Sequence, residues 1–327
     1  MPATGNLQDG VSVVICCYNS EKVIARALEC IARQQITNIP EWEVVLVNNN
    51  SKDNTVAVAE AVQQQYGSAL PLRIINEPQQ GLMYARHTGI ASTFYDITLF
   101  CDDDNFLDQH YMQTAYDVMR ANPEIGIVGG QTSGAYASAP PEWFHKISSG
   151  YAIGQQQERS GDVTHTTGQV WGAGMVSRTT LLRDIFKEEF ITTGRKGGKL
   201  AAGDDTELCY KAILRGYKIY YDERLKLQHF ITPQRLTWEY AIRLNKGLAT
   251  VLPNLLGLRR LAVEKKNETI VMRLKDFLFA IKHNFKLQYL LHWGRIRNLE
   301  KHEGDFELWD AYFRLNYIQL MFTRLFK

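Results

Sequence analysis

From Val11 onward, short runs rich in β-branched residues alternate with segments of helical periodicity, and this alternation constrains the fold more than any other feature of the sequence. The runs predict strands at 11–18, 43–47, 72–75, 96–101 and 125–130. Strands that alternate with helices form βαβ units, in which helices cover both faces of a parallel sheet. We therefore predict an α/β fold with a mostly parallel, Rossmann-like sheet flanked by helices.

The second half of the chain has a different character. Residues 131–169 are rich in Gly, Ser, Ala and Pro and are only weakly periodic, so we expect an irregular loop or small helices over a cleft. Beyond Pro233 the strand signal almost disappears, and several helices are predicted. We divide the chain into a catalytic domain at 1–232 and a helical C-terminal extension at 233–327. The basic and aromatic residues of the extension leave three roles open, which are packing on the catalytic domain, pairing in a homodimer, and contact with a membrane surface.

Composition narrows the class of protein and its location. A net charge of +2 with 22% charged residues gives no reason to expect nucleic-acid binding, which requires a strongly basic face. The five cysteines lack metal-site or secreted-domain spacing, so we expect reduced thiols. The first ten residues contain no apolar segment typical of a signal peptide, and no run of 18 apolar residues occurs. These features predict a cytoplasmic protein, with peripheral contact at the inner face of the plasma membrane left open.

Polar residues stand directly after the predicted strands at three places in the sequence. Tyr18 and Asn19 follow the first strand, residues 48–50 follow the second, and residues 102–104 follow the fourth. The carboxyl ends of parallel strands gather at one edge of a sheet, where ligands bind. We therefore expect these distant segments to line one cleft.

The segment CDDDN at 101–105 places three carboxylates side by side at the end of a buried strand. Like charges so close together raise one another's pKa unless a cation lies between them. Mg²⁺ or Mn²⁺ held by one or two carboxylates takes its remaining ligands from substrate phosphates and water. The alternative is a solvated acidic turn that caps the next helix. The position at the ligand-binding edge favours the metal site.

Two further features carry potential chemistry in the later part of the sequence. Asp204 and Asp205 open a predicted helix that Gly216 ends, so either carboxylate is a helix cap or a general base for an attacking hydroxyl. His229 stands at the end of a predicted strand, where it is either a structural residue or an additional metal ligand.

A basic, glycine-rich segment precedes these aspartates. Residues 192–203 contain four glycines together with Arg195, Lys196 and Lys199. Such a segment either closes over a substrate phosphate or serves as a solvated linker.

In their order along the chain, these motifs resemble glycosyltransferase family 2, a group of inverting enzymes with the GT-A fold, over about residues 11–229. The resemblance implies that Cys17, Tyr18 and Asn19 receive the nucleotide. The segment NNNSKDN is similar to the acidic segment of the family, but Asn48 and Asn49 replace the acids. The contact with the base would therefore come from an amide carbonyl, which we assign to Asn49.

The same resemblance implies roles for the remaining donor and metal residues. Arg86, in QQGLMYARHTGI, would lie near the base or the phosphates. CDDDN is similar to the D-x-D signature, which implies that Asp102 lies near the ribose and Asp104 on the metal, with Asp103 able to share either role. Asp102 is also a candidate metal ligand, and His229 falls where many members carry a metal-binding histidine.

The resemblance also implies a sugar site and a catalytic base. WGAGM is similar to the loop that lines the sugar and acceptor site, which implicates Trp171, Gly172 and Ala173. GDD is similar to the catalytic motif of the family, with Asp205 as the base and Asp204 as its neighbour.

The function implied is a metal-dependent sugar transfer with inversion, using Mn²⁺ or Mg²⁺ as cofactor. The donor is a nucleotide sugar, with a UDP-sugar favoured, and the acceptor is a saccharide or lipid-linked saccharide in bacterial surface polysaccharide biosynthesis. In this mechanism Asp205 removes a proton from the acceptor oxygen while the metal neutralises charge on the leaving diphosphate.

Three other functions agree less well with the sequence. A sugar-phosphate nucleotidyltransferase would begin with a glycine-rich phosphate loop, which ICCYNSEK lacks. A dinucleotide oxidoreductase would carry G-x-G-x-x-G after the first strand. A nucleotide-sugar-binding scaffold without catalysis is favoured by Asn48 and Asn49 but opposed by the intact Asp104 and Asp205.

Overall fold

The chain folds around one nine-stranded sheet. The computed structural model describes residues 6–192, 194, 202–286, 289 and 292–326, apart from the side chains of Thr250 and Leu252. The strands are β1 (Gln8–Cys17), β2 (Trp42–Asn48), β3 (Leu72–Asn76), β4 (Tyr95–Phe100), β5 (Asn105–Leu107), β6 (Ile125–Tyr136), β7 (Gly161–Asp162), β8 (Val176–Arg178) and β9 (Lys218–Ile231). Their order is β3-β2-β1-β4-β8-β6-β9-β5, and β7 pairs with β9.

Helices cover both faces of this sheet and make up the C-terminal third of the chain. The α-helices are α1 (Ile24–Ala32), α2 (Thr55–Tyr66), α3 (Leu82–Ser92), α4 (Tyr111–Ala121), α5 (Thr179–Ile185), α6 (Asp204–Leu214), α7 (Trp238–Arg259), α8 (Ile270–Asn284), α9 (Trp293–Ile296) and α10 (Phe306–Arg324). Helix α6 ends as predicted, because Gly216 adopts the left-handed φ of +84° that suits a residue without a β-carbon.

The first half of the sheet is parallel and buried on both faces, as the apolar runs predicted. β1 lies between β2 and β4, and β2 also pairs with β3, all in parallel. Successive residues of β1 point to opposite faces, so Val13 and Ile15 join one hydrophobic cluster while Val14 joins the other. This arrangement brings the carboxyl ends of β1, β2 and β4 to one edge.

The second half of the sheet is mixed, and here one prediction was wrong. β6 continues to Tyr136, whereas the sequence predicted a strand that ended at 130 and irregular structure from 131. Gln131–Tyr136 pairs in parallel with β9, which supplies hydrogen bonds to a stretch without apolar alternation. β9 also pairs antiparallel with β5, placing Asn105 opposite His229.

The C-terminal residues are helical, as predicted, and they pack on loops of the preceding part of the chain. Trp143, Phe144 and Tyr151 share a hydrophobic cluster with Trp238 of α7 and Leu308 of α10. Trp143 and Trp238 meet edge to face with ring centroids 5.2 Å apart. The packing role of the extension is therefore seen directly, while the boundary at 232 stays a prediction. Across the described ranges, every helix is too short or too polar to cross a membrane.

Candidate active site

The turns after β1, β2 and β4 meet at one edge of the sheet, as the positions of their polar residues predicted. The Asn19 N–H donates to Ser51 Oγ at 3.0 Å, and the Lys52 N–H donates to Asn19 Oδ1 at 2.8 Å. Ser20 Oγ donates a short hydrogen bond to Asp103 Oδ2, which ties the first turn to the acidic triplet. Asn19 adopts a left-handed φ of +56°, which Asn tolerates better than most residues. The three segments therefore form one cleft.

The residues predicted to bind the nucleotide lie at this edge, with different degrees of exposure. Tyr18 is 47% exposed and Asn19 is exposed, so both side chains face solvent. Cys17 is buried, and burial raises the pKa of its thiol well above the usual value. The thiol is thus neutral and lies behind the exposed surface, which leaves Tyr18 and Asn19 as the accessible side chains of the segment.

The Asn49 side chain holds a neighbouring loop in place. Its amide nitrogen donates to the carbonyl oxygens of Glu77 and Gln79, and its Oδ1 accepts from the Gly81 N–H at 2.7 Å. A carboxylate cannot donate to the two carbonyls, so this loop requires an amide at position 49. The predicted contact between Asn49 and the base remains a prediction, and the structure adds this second role.

A buried ion pair stands beside the predicted catalytic base. Arg86 Nη1 donates to Asp204 Oδ2, and Arg86 also lies over the Phe100 ring at 5.0 Å. Asp204 is the first residue of α6, where the positive end of the helix also favours a carboxylate. The charge of Asp204 is therefore balanced, and Arg86 is held away from bulk solvent.

Asp205 is the half-buried carboxylate of this group, and it is oriented by two backbone donors. The Gly172 N–H donates to Asp205 Oδ2 at 2.9 Å and the Thr206 N–H donates to Oδ1 at 2.8 Å. Burial raises the pKa of Asp205 above its ordinary value, and the Asp204 charge raises it further, against the opposing effect of these donors and Arg86. A fixed carboxylate with a raised pKa has the properties of a general base.

The predicted sugar loop reaches this carboxylate through its glycine. A β-carbon on Gly172 would lie 3.2 Å from Asp205 Cβ and 3.3 Å from Arg86 Nη2, so any larger residue would push against both side chains. Trp171 is half-buried and its N–H donates to Gln156 Oε1 at 2.7 Å, while Ala173 packs on the sheet core. The loop and the aspartate pair, which are separated in sequence, therefore form one wall of the cleft.

The three carboxylates of the acidic triplet point to different partners. Asp102 Oδ2 accepts from Asn105 Nδ2 at 3.4 Å, and Asp104 Oδ2 accepts from Arg235 Nη1 at 2.7 Å. Burial and the Asp104 charge raise the pKa of Asp103 to about 7, although Ser20 lowers it. The repulsion between like charges that the sequence predicted is thus present, and Arg235 partly compensates it.

Asp104 and His229 come together, as predicted for two metal ligands, although they are far apart in sequence. His229 Nε2 lies 3.3 Å from Asp104 Oδ2, because β5 and β9 pair next to both residues. His229 Nδ1 lies 2.9 Å from the Tyr151 carbonyl oxygen, which can only accept, so Nδ1 carries a hydrogen and, in the neutral imidazole, Nε2 has a lone pair.

This donor set fits a hard divalent cation. The lone pair of Nε2 faces a carboxylate oxygen, and two acceptors at this distance attract a cation between them. In the described ranges, no group of three His, Cys, Asp or Glu side chains is close enough to hold an ion, so phosphates and water would complete the coordination. Asp102 as a third ligand stays a prediction.

Several residues of the cleft carry no signal that reasoning from the sequence recognised. Arg235 and Tyr151 each contact a predicted site residue, but neither belongs to a motif. Ser20 lies within the first motif, but no site role was predicted for it. The buried Glu207 accepts from the Ile191 and Thr192 N–H groups and so anchors one end of the basic segment. The basic residues Arg195, Lys196 and Lys199, predicted to clamp a phosphate or form a linker, lie outside the described residues.

The family model for glycosyl transferase family 2 matches residues 12–186, which is more than half of the chain. The chain belongs to this family. The resemblance inferred from its motifs is therefore confirmed.

Comparisons with individual proteins support the fold. Poly-beta-1,6-N-acetyl-D-glucosamine synthase of Staphylococcus epidermidis is 21% identical over 248 residues, 75% of this chain and 56% of that protein. S. aureus TarS 1–349 in complex with UDP-GlcNAc matches with a TM-score of 0.53 and 18% identity, covering 96% of this chain and 90% of that one. Mannosyltransferase PcManGT from Pyrobaculum calidifontis, in complex with GDP-Man and Mn²⁺, matches with a TM-score of 0.57 and 15% identity, covering 97% and 86%. The fold is thus the GT-A fold.

The curated relatives are longer than this chain or match it only in part. Three of them are covered to 17%, 15% and 56% of their own length. Family membership and fold therefore carry over to this chain, while the donor, acceptor and product of the relatives are properties of those proteins.

Proposed function

We propose that this chain transfers a sugar from a nucleotide-sugar donor to an acceptor hydroxyl, with inversion at the anomeric carbon. The observation that carries the proposal is the position of Asp205, whose carboxylate is fixed by the Gly172 N–H beside the Arg86–Asp204 ion pair. A UDP-sugar is the favoured donor because the TarS structure contains UDP-GlcNAc. GDP-mannose is the second candidate donor because the PcManGT structure contains it.

The reaction is a single displacement in which Asp205 accepts the acceptor's proton. The acceptor oxygen forms a bond to the anomeric carbon as the bond from that carbon to the phosphate oxygen breaks, and its electron pair leaves with the nucleoside diphosphate. The raised pKa of Asp205 strengthens its affinity for the proton. Arg86 pairs with Asp204 and so reduces the negative charge beside the base.

Asp104 and His229 would hold Mn²⁺ or Mg²⁺, with Asp102 as a further candidate. When bound there, the ion supplies charge neutralisation for the leaving diphosphate. The Tyr151 carbonyl fixes the imidazole of His229 in the tautomer that leaves Nε2 free to ligate. Support for manganese also comes from the PcManGT structure, which contains Mn²⁺.

The acceptor we propose is a saccharide or lipid-linked saccharide in bacterial surface polysaccharide biosynthesis. The likeness to a poly-N-acetylglucosamine synthase supports this assignment. A binding scaffold without catalysis remains the alternative, because Asn48 and Asn49 depart from the acidic family segment.

Hydrolysis and transfer assays with UDP-GlcNAc and GDP-mannose, with and without Mn²⁺, test the function. We expect Asp205→Asn to lose turnover while its donor affinity, measured by calorimetry, stays near that of the wild type. Asp104→Ala should lose both turnover and metal-dependent donor binding. Asp117→Asn on the exposed face of α4 is the matched control. A wild-type rate in Asp205→Asn would rule out the assigned base. If the wild-type protein binds the donor but shows no turnover, the scaffold function is favoured instead.

We further propose that α8 contacts an anionic membrane surface. Six exposed apolar residues recur at helical spacing along this helix and at its end, so they form one apolar stripe. They are Ile270, Val271, Leu274, Leu278, Ile281 and Phe285. Lys275, Lys282 and Lys286 are exposed beside this stripe. Asp276 is instead turned inward, where it pairs with Arg260 and Arg324. An apolar stripe bordered by lysines suits anionic lipid headgroups.

Flotation with vesicles of phosphatidylcholine alone or with 30% phosphatidylglycerol, on the order of a bacterial anionic lipid content, tests this contact. We expect binding only to the anionic vesicles and its loss in Leu274→Glu/Leu278→Glu. Leu214→Glu, which changes an exposed leucine at the end of α6, is the matched control. Light scattering that reports a stable dimer in the wild type and a monomer in the double variant would show that a second copy covers the stripe instead.

A further inference from the structure

Arg235 occupies the place that a cation bound to Asp104 and His229 would need. It lies in a 3-10 turn (Pro233–Leu236) directly after β9, and its side chain is only 12% exposed. Its Nη1 donates to Asp104 Oδ2 at 2.7 Å and lies 3.2 Å from His229 Nε2. One guanidinium nitrogen thus satisfies both atoms that face each other across 3.3 Å.

The hydrogen bonds of His229 allow its Nε2 to bind either Arg235 or a metal, but not both. The Tyr151 carbonyl requires the hydrogen on Nδ1, so Nε2 of the neutral imidazole has one lone pair in the plane of the ring. That lone pair either accepts from Arg235 or ligates a metal, but it cannot do both. His229 can therefore become a ligand only after Arg235 has moved.

The backbone of Arg235 is anchored, whereas one nitrogen of its side chain has no hydrogen-bond partner. Its Nε is buried without a hydrogen-bond partner, while the Arg235 carbonyl oxygen accepts from the Tyr151 hydroxyl at 3.1 Å. The backbone is thus anchored to the residue that also orients His229. Besides Asp104 and His229, the guanidinium has Tyr240 as a neighbour, whose ring centroid lies 5.8 Å away. A displaced guanidinium would find new acceptors on an incoming diphosphate.

We propose that Arg235 is an internal cation that stabilises the metal-free site and is displaced when a divalent metal binds together with the nucleotide. This inference rests on the proposed function. It predicts that metal binding without nucleotide is weak, because the ion must remove Arg235 from two partners without offering others. Binding with nucleotide is stronger, because the diphosphate accepts the released guanidinium as well as the ion.

Titration of Mn²⁺ alone, followed by the loss of its free electron paramagnetic resonance signal, tests this role without any turnover. We expect Arg235→Met to bind Mn²⁺ about tenfold or more tightly than the wild type, since a charge-assisted hydrogen bond no longer competes. Arg235→Lys, which keeps the charge, should retain weak binding. Asp104→Ala in the Arg235→Met background should abolish the gain, and Arg33→Met, at an exposed arginine that pairs with Glu29 rather than with the site, should behave as wild type.

A second measurement covers the case in which Arg235→Met is unstable. Without metal, this variant leaves two acceptors facing each other, so Mn²⁺ should raise its melting temperature more than that of the wild type. Equal or weaker affinity for Mn²⁺ alone in Arg235→Met, together with an equal thermal shift, would overturn the proposal. If Mn²⁺ fails to bind any variant even with UDP present, the metal dependence of the proposed function is wrong as well. Tight binding to the wild type with UDP but no gain in Arg235→Met contradicts only the role of Arg235.

Discussion

Arg86 and Asp204 form an ion pair whose side chains are only 5% and 9% exposed. Removal of one partner from a buried pair leaves a charge without compensation, which costs more than the pair itself contributes. We expect Asp204→Ala to lower the free energy of unfolding by about 3 kcal/mol in urea denaturation. Glu29→Ala, which breaks the exposed pair with Arg33, should change stability little. A similarly small loss in both variants would contradict the importance of burial here.

The pH dependence of turnover should report the link between Asp204 and Asp205. The Asp204 charge raises the pKa of Asp205, and a base is active only when it is ionised. Activity is therefore lost as the pH falls through this pKa, and Asp204→Asn should move the acidic limb of kcat/KM to lower pH. Asp184→Asn, at an exposed carboxylate on α5, serves as the control. A limb that stays in place or moves upward would contradict the assignment of Asp205 as the base.

The close contact at Gly172 predicts a loss of rate with little loss of stability. In Gly172→Ala the new β-carbon meets Asp205 Cβ and Arg86 Nη2, so the carboxylate must shift by a few tenths of an ångström. We expect kcat to fall about tenfold or more, because small errors in the position of a base are costly. Gly161→Ala, where a β-carbon meets nothing within 4 Å, is the matched control. An unchanged kcat in Gly172→Ala would show that the loop yields without moving Asp205.

Truncation after residue 232 tests whether the predicted catalytic domain is independent. The fragment would expose Trp143, Phe144 and Tyr151, which are buried against the C-terminal helices. It also lacks Arg235. We expect the 1–232 fragment to aggregate or to lack a cooperative thermal transition, measured by circular dichroism, whereas the full chain melts cooperatively. A cooperative transition in the fragment near that of the full chain would support the boundary at 232.

Much of the fold follows from local patterns. The apolar runs located β1 to β4, and the polar residues behind them located the cleft, because parallel strands bring their carboxyl ends to one edge. The extension of β6 to Tyr136 was missed, since its pairing partner lies about 90 residues later and its own sequence lacks apolar alternation. The end of β6 is therefore set by its pairing with β9, which the local periodicity of its sequence does not reveal.

The candidate site was predicted by type of residue more than by contact. Asp204 and Asp205 look equivalent in sequence, yet Arg86 binds one and the Gly172 N–H orients the other. Arg235 stands in a polar stretch with no motif, and only the turn after β9 brings it to Asp104. These distinctions depend on contacts between segments 33 to 131 residues apart, which a single sequence does not encode locally.

The pairing of β5 with β9 also determines when the site comes into existence during synthesis. Asp104 and His229 are 125 residues apart, and the Phe230 N–H donates to the Asp104 carbonyl to join them. A nascent chain that has not yet released β9 from the ribosome holds the acidic triplet on an unfinished sheet edge. Contacts of such large sequence separation form late in folding. The proposed metal site therefore cannot be complete until the chain has been synthesised beyond His229.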